Sequence, residues 1–292
     1  MPSTRDIRRR IKSVKNTAQI TKAMQMVAAS KMRRAQQSAL AGRPYAELLN
    51  KVLGQVTSLV GDFSHPFLEE RPVKTRAVIV ISSDKGLAGA LNSNLTREVA
   101  KLDKDKTVYI AAGKKGAQFI SRTKRNLAAE FTYKDAPAFS EARAISKFAQ
   151  ELFLKGEADQ VDILFTNFIS TLTQKPEVRT LLPVGEMQGL QHEVGGDQPI
   201  TLSTGATEFS FEPGPAEVFG SLLPHYLNFQ VYQILLEAKA SEHSARMVAM
   251  KNATDNAKQL IKDLTLEYNK LRQANITKEL LEITSATMSM GQ

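Results

Sequence analysis

The chain has 292 residues, 42% of them hydrophobic and 24% charged, with a net charge of +9 and no Cys. That length and balance support a sizeable core, and the lack of thiols excludes disulfides, thiolate catalysis, Cys-ligated zinc and thiol redox switching. The longest purely apolar stretch, "AVIVI" at 77–81, is far short of the roughly 18 residues a membrane span requires.

Charge is concentrated at the start. Residues 1–43 hold eleven basic side chains against Asp6 alone, while the remaining 249 residues hold 28 basic and 29 acidic ones. Such asymmetry points to an acidic partner: nucleic acid, anionic lipid, a transit receptor or an acidic protein surface. The same stretch has no Gly or Pro from Ser3 to Ala41, so it reads as one long helix. Ile7, Ile11, Val14, Ala18, Thr21, Gln25, Ala28, Met32, Ala35 and Ala39 recur in steps of four and three, the spacing of a coiled-coil seam. Helix is expected to continue to about Val60, with Pro44 as a kink or as the start of a new helix.

The middle reads as α/β. "RAVIVISSD", "TVYIAAG" and "DILFTNFIS" have the pattern of buried strands, separated by helical patterns in "LNSNLTREVAKL" and "SEARAISKFAQELFLKG". This alternation predicts a partly parallel sheet with crossover helices. "EVRTLLPV" and "TEFSFEP" read as further strands, and the Gly-rich "GEMQGLQHEVGGDQPITLSTG" between them as a long loop. From His225 to Met290 there is again no Gly or Pro, enough for a helix of about 100 Å at 1.5 Å per residue. Its seam runs through Leu227, Val231, Ile234, Ala238, Ser241, Ala245 and Val248, then shifts near Asn252 to Ala257, Ile261, Leu264, Tyr268 and Leu271, as at a stutter. The predicted division is an N-terminal coiled-coil helix over 1–60, an α/β domain over 61–214 and a C-terminal coiled-coil helix over 215–292. The two long helices are expected to pair antiparallel.

Chemistry-bearing motifs are few. "SSDKGLAGALNSN" (82–94) lies between a strand and a helix, where α/β folds cradle phosphate, but it matches neither GxGxxG nor a P-loop, and Gly113-Lys114 lacks the earlier Gly. A tight turn, with Asp84 and Lys85 satisfying backbone groups or each other, competes with the nucleotide reading. His65, His192, His225 and His243 are scattered, and Glu279 and Glu282 beside Lys278 read as an exposed helix face. No catalytic, cofactor-binding or metal-ligating set is found. The basic first helix has three readings: a nucleic-acid binder, an amphipathic targeting segment, or a structural helix inside an acidic sleeve.

Three segments together resemble the γ subunit of the F-type ATP synthase: "RRRIKSVKNTAQITKAMQMVAASKMRRAQ", "SSDKGLAGALNSNL", and the pair "QVYQILLEAKASEHSARMVAMKNATDNA" and "YNKLRQANITKELLEIT". The resemblance implies a non-catalytic rotor shaft, without cofactor, in the central stalk. It would turn within the hexamer of alpha and beta subunits and join the epsilon subunit and the c-subunit ring, so that proton flow drives ATP synthesis on beta. Membrane association would come only through partners, on the cytoplasmic face of a bacterial inner membrane, a placement that the start at Met1 without a separable leader also favours. Lys22, Met24, Arg246, Gln273 and Thr277 match positions of beta-subunit contact, and Asp84, Lys85, Gly86 and Gly89 belong to the family's motif turn. Ala88 stands where the family often has Cys, and Ala286-Thr287 where it usually has Gly-Ala. A basic-helix nucleic-acid-binding protein is the alternative.

Overall fold

A computed structural model describes residues 3–60, 65–184, 211–212 and 214–290. Contacts divide the chain into two compact units, one of Met1–Val27 with Met247–Gln292 and one of Ala28–Arg246. The elements are helices α1 (Thr4–Ala41) and α2 (Arg43–Val60), strand β1 (Arg76–Ile81), α3 (Leu91–Lys101), β2 (Thr107–Ala112), α4 (Lys114–Arg122), β3 (Asn126–Phe131), α5 (Phe139–Leu154), β4 (Gln160–Phe168), β5 (Gln174–Leu182) and α6 (Pro215–Met290). Helix does reach Val60, with a turn at Gly42 and a restart as α2, in whose first turn Pro44 lies as expected of a restarted helix. A Cβ at Gly42 would lie 2.0 Å from Gln233 Nε2, the end of a flexible side chain, so a larger residue there would displace that amide rather than the α6 backbone.

Unit Ala28–Arg246 is built on a five-stranded sheet in the order β3-β2-β1-β4-β5. β1, β2, β3 and β4 run parallel, and β5 returns antiparallel to β4. β1 is buried on both faces because helices cover both. Val78, Val80, Tyr109, Ala111 and Leu164 pack with Leu95 and Val99 of α3 and Ala117 and Ile120 of α4. Ala77, Ile79, Ile110 and Ile163 face the other way, onto Leu53 of α2, Ile145 of α5, and Leu223, Leu227 and Val231 of α6. Period-two alternation of one buried strand thus feeds two cores. Both sheet edges are weak strand formers: β3 alternates exposed and half-buried residues, and β5 carries Pro176, which an edge strand tolerates.

α1 and α6 pair antiparallel. Within Ala28–Arg246 the antiparallel sense shows in Gly42 lying beside Gln233 and Tyr45 beside Phe229 and His225; within the other unit Thr21 meets Thr254 at 2.7 Å. Every predicted seam residue of both helices is buried or half-buried. At the predicted stutter the seam steps onto Met250 and Thr254, both buried. The Thr21–Thr254 hydroxyl pair is a polar seam layer, a device that fixes register. α6 begins ten residues before the breaker-free run and carries Pro224 inside it; the carbonyl its ring would crowd, four residues back, belongs to Gly220.

Two predicted segments fall elsewhere. The Gly-rich loop at 185–205 lies outside the described residues, as does most of "TEFSFEP", of which Phe211 and Glu212 are not in a strand. α4 and β3 were not foreseen.

Candidate functional site

All four parallel strands point their carboxyl ends at one edge, and the strand order reverses between β1 and β4, where open α/β sheets form a ligand crevice. Here the edge is filled by the chain's own groups. The turn after β1 saturates the start of α4: Asp84 Oδ1 accepts from the Lys114 N–H at 2.9 Å, the Ser83 carbonyl from the Lys115 N–H at 3.0 Å, and Ser82 Oγ from the Gly116 N–H at 2.7 Å. The donors that would hold a phosphate at that helix start are used. Gly113, at φ 106, makes the approach possible, since a Cβ there would stand 2.1 Å from the Ser82 carbonyl oxygen. Leu87 and Gly89 take φ of 62 and 58 in the motif turn, and Ala88 is buried beneath it.

Against this edge α6 lays a charged face. Lys239, Glu242 and Arg246 fall at i, i+3 and i+7, on one side of the helix. Lys239 is only 2% exposed, Glu242 6% and Arg246 12%. Lys239 Nζ lies 2.9 Å from Glu242, 3.9 Å from Asp135, and 4.5 Å from the centroid of Tyr133. The Tyr133 hydroxyl donates to the Ser82 carbonyl at 3.1 Å. Arg246 bonds Glu242 at 2.8 Å and reaches the carbonyls of Lys85 and Gly86 at 3.4 Å. Asp135, in the loop after β3, also accepts a short hydrogen bond from Lys31 of α1. On another side of α6, Ser244 Oγ donates to the Thr171 carbonyl at 2.8 Å, at the tip of the β4–β5 hairpin.

The electrostatics follow from burial set against pairing. Burial pushes the Glu242 carboxyl up, but Lys239 and Arg246 outweigh it and hold it below its ordinary value. The Lys31 hydrogen bond likewise lowers Asp135 against its partial burial. Burial takes His243 down to about 4, so its imidazole is neutral at pH 7. Glu237, whose buried Oε2 has no hydrogen-bond partner, is pushed up to about 7 by burial.

The structure brings Asp84, Lys85, Gly86, Gly89 and Arg246 together, whereas Lys22, Met24, Gln273 and Thr277 belong to the other unit. Arg246 is therefore engaged inside the chain rather than projecting as an exposed helical residue. Lys22 is exposed, with Nζ 3.3 Å from Gln25 Oε1, and Met24 is half-buried. Gln273 and Thr277 are exposed, as is every residue from Arg272 to Ala286. Lys278 and Glu282 form an exposed pair at 3.7 Å. Lys31, Tyr133, Asp135, Lys239 and Glu242 were missed as site residues. The available signal was the density of polar residues in "EAKASEHSAR", which runs through seam positions. Among the described residues no group of three potential metal ligands occurs.

A two-helix antiparallel pair joined to a five-stranded α/β sheet is the fold of the central stalk of rotary ATP synthases. The rotor of the Euglena gracilis mitochondrial ATP synthase contains a chain that superposes with a TM-score of 0.67 at 20% identity, over 94% of this chain and 98% of that one. A chain of the Tetrahymena thermophila mitochondrial ATP synthase central stalk and c-ring gives 0.59 at 27% identity, over 80% and 99%. The family model described as ATP synthase matches residues 3–290. The ATP synthase gamma chain of Opitutus terrae is 52% identical over 98% of both chains, and that of Methylacidiphilum infernorum 47% identical over the whole of both. The chain belongs to the ATP synthase gamma chain family.

Proposed function

We propose that the chain is the rotating central shaft of an F-type ATP synthase, a subunit without catalytic residues of its own that couples proton flow through the c ring to ATP synthesis or hydrolysis on beta. The observation that carries this reading is the run of buried and half-buried seam residues along α1, and along α6 as far as Leu271, beneath an outer face of charge. A shaft must resist twist yet slide in its sleeve. Each buried Leu or Ile of the seam contributes roughly 1.5–3 kcal/mol, whereas exposed charge pairs of about 0–1 kcal/mol guide rotation without locking it. Lys22, Met24, Gln273 and Thr277 are positioned for such weak contacts with beta, and Arg246 acts at the point where α6 meets the motif turn of Asp84, Lys85, Gly86 and Gly89.

The alpha and beta subunits form the sleeve, and the epsilon subunit and c ring bind the α/β unit. No described helix is long and apolar enough to cross a membrane, and we place the chain peripherally, through its partners, on the cytoplasmic face of a bacterial inner membrane. The three-part division 1–60, 61–214 and 215–292 separates shaft from partner-binding unit. The nucleic-acid reading draws no support from the geometry.

Alpha and beta subunits of the same source, purified and mixed with and without the chain, test the proposal by size and by ATP hydrolysis. A discrete complex with sustained hydrolysis only when the chain is present supports it. A chain that neither enters the complex nor alters its activity refutes it.

A further inference from the structure

The charged face of α6 is an odd way to dock a helix. A buried ion pair is weak evidence for stability, because desolvation offsets attraction and apolar side chains of similar size do as well. What such pairs add is direction: they hold only at one angle, and removing one partner leaves an uncompensated charge. We propose that Lys31, Asp135, Lys239, Glu242 and Arg246 are positioning residues forming a torque clamp, which fixes the rotational angle of the helix pair against the carboxyl edge of the sheet.

Three geometric facts carry the inference. First, the clamp has two anchor points on one side of α6. Asp135, after β3, receives Lys239, and the Lys85 and Gly86 carbonyls, after β1, receive Arg246; the two helix positions are about 10 Å apart along the axis at 1.5 Å per residue. Glu242 bonds both cations and ties the anchors together. Second, Asp135 also holds Lys31, so a single sheet-borne carboxylate grips both helices of the pair. Neither can roll on its seam without breaking that junction. Third, Ser244, two residues before Arg246 and so about 200° round the helix at 3.6 residues per turn, is held by Thr171 of the β4–β5 hairpin. α6 is gripped from opposed sides. Close-packed apolar contacts, as between Leu227 or Val231 and the sheet, also oppose rotation, and the charged contacts add anchors that hold at one angle only.

The clamp rests on the shaft reading above, and its test keeps the two apart. Because the chain has no Cys, Lys104→Cys on the exposed loop before β2 gives a unique attachment site for a bead. In the assembled alpha–beta complex, the angular spread of the bead is recorded during pauses at limiting ATP, for the parent chain, for Asp135→Asn with Lys239→Met, and for the charge-swapped Lys31→Asp with Asp135→Lys. The expected result is an angular variance about twofold larger in the neutralised variant, because one of two directional anchors is lost, with unloaded hydrolysis unchanged. The charge swap restores the α1 junction but turns a cation toward Lys239, so it should widen the spread at least as far as the neutralised variant does. An unchanged spread in a complex that assembles and hydrolyses ATP overturns the clamp. Should the double variant not assemble, Asp135→Asn alone, at a side chain 48% exposed, gives the same reading. A bead that never turns, even on the parent chain, contradicts the shaft reading instead.

Discussion

Glu237→Gln isolates one buried carboxyl whose contribution reverses with pH. Glu237 lies on α6 with its Oε2 unsatisfied and Arg179 Nη1 4.0 Å away. Distance alone makes that an ion pair, but Arg179 is already committed: it bonds Glu177 at 2.5 Å and its guanidinium stacks 4.9 Å from the Phe165 centroid. Burial dominates and raises the carboxyl from 4.5 to about 7. A carboxyl raised on folding supports the fold while protonated. That support is whole below pH 4.5 and is lost as pH rises to about 7, above which the difference is constant. A shift of this size at 1.36 kcal/mol per pKa unit is worth about 3 kcal/mol. Glutamine imitates the protonated form, so the variant should match the parent near pH 4.5 and exceed it by about 3 kcal/mol at pH 8. Urea unfolding of the full chain across pH 4.5–8, parent beside variant, reads that difference. A stability gap independent of pH would mean that Glu237 is ionised in the fold and that Arg179 is its true partner.

Other perturbations report on separate links. Thr254→Val should cost about 1 kcal/mol by removing the cross-helix hydroxyl bond and leaving Thr21 only its Ala18 carbonyl, and Thr21→Val with Thr254→Val should cost less than the two single changes added together; a thermal double-mutant cycle with no coupling would remove the hydroxyl pair as a register device. Gly113→Ala should lower the unfolding temperature, because φ 106 with ψ 143 is a backbone region that costs a residue with Cβ about 1–3 kcal/mol and the new Cβ meets the Ser82 carbonyl; an unchanged temperature would refute the tight-turn account. Lys22→Glu, on an exposed position, should leave unfolding unaltered but reduce proton pumping per ATP hydrolysed in membrane vesicles, and full coupling would count against contact between that face and beta.

How much of this was legible in the sequence depends on how local the cause is. The α1 and α6 seams were readable to the residue because three-and-four spacing is written along the helix itself. β1 declared itself as "AVIVI", a short run rich in β-branched residues that suits a strand covered on both faces. α4 and β3 were not readable: "KKGAQFISR" is nine residues with an internal Gly, and "NLAAEF" is an Ala-rich edge strand of weak propensity. Gly113, taken from sequence as part of a failed phosphate loop, is the glycine that lets Ser82 meet the start of α4. The charged cluster was hidden for a different reason. Lys239, Glu242 and Arg246 have the spacing of ordinary surface pairs, and only tertiary burial separates them from Lys278 and Glu282, which have that spacing and remain in solvent. Lys31 and Asp135 lie 104 residues apart, and no spacing rule joins them.

The central claim is that the chain turns while beta does the chemistry. A bead on Lys104→Cys in the alpha–beta complex, followed under saturating ATP, tests it most directly. Continuous rotation in one direction at a rate that follows hydrolysis is the predicted result; sustained hydrolysis beneath a stationary bead would contradict it.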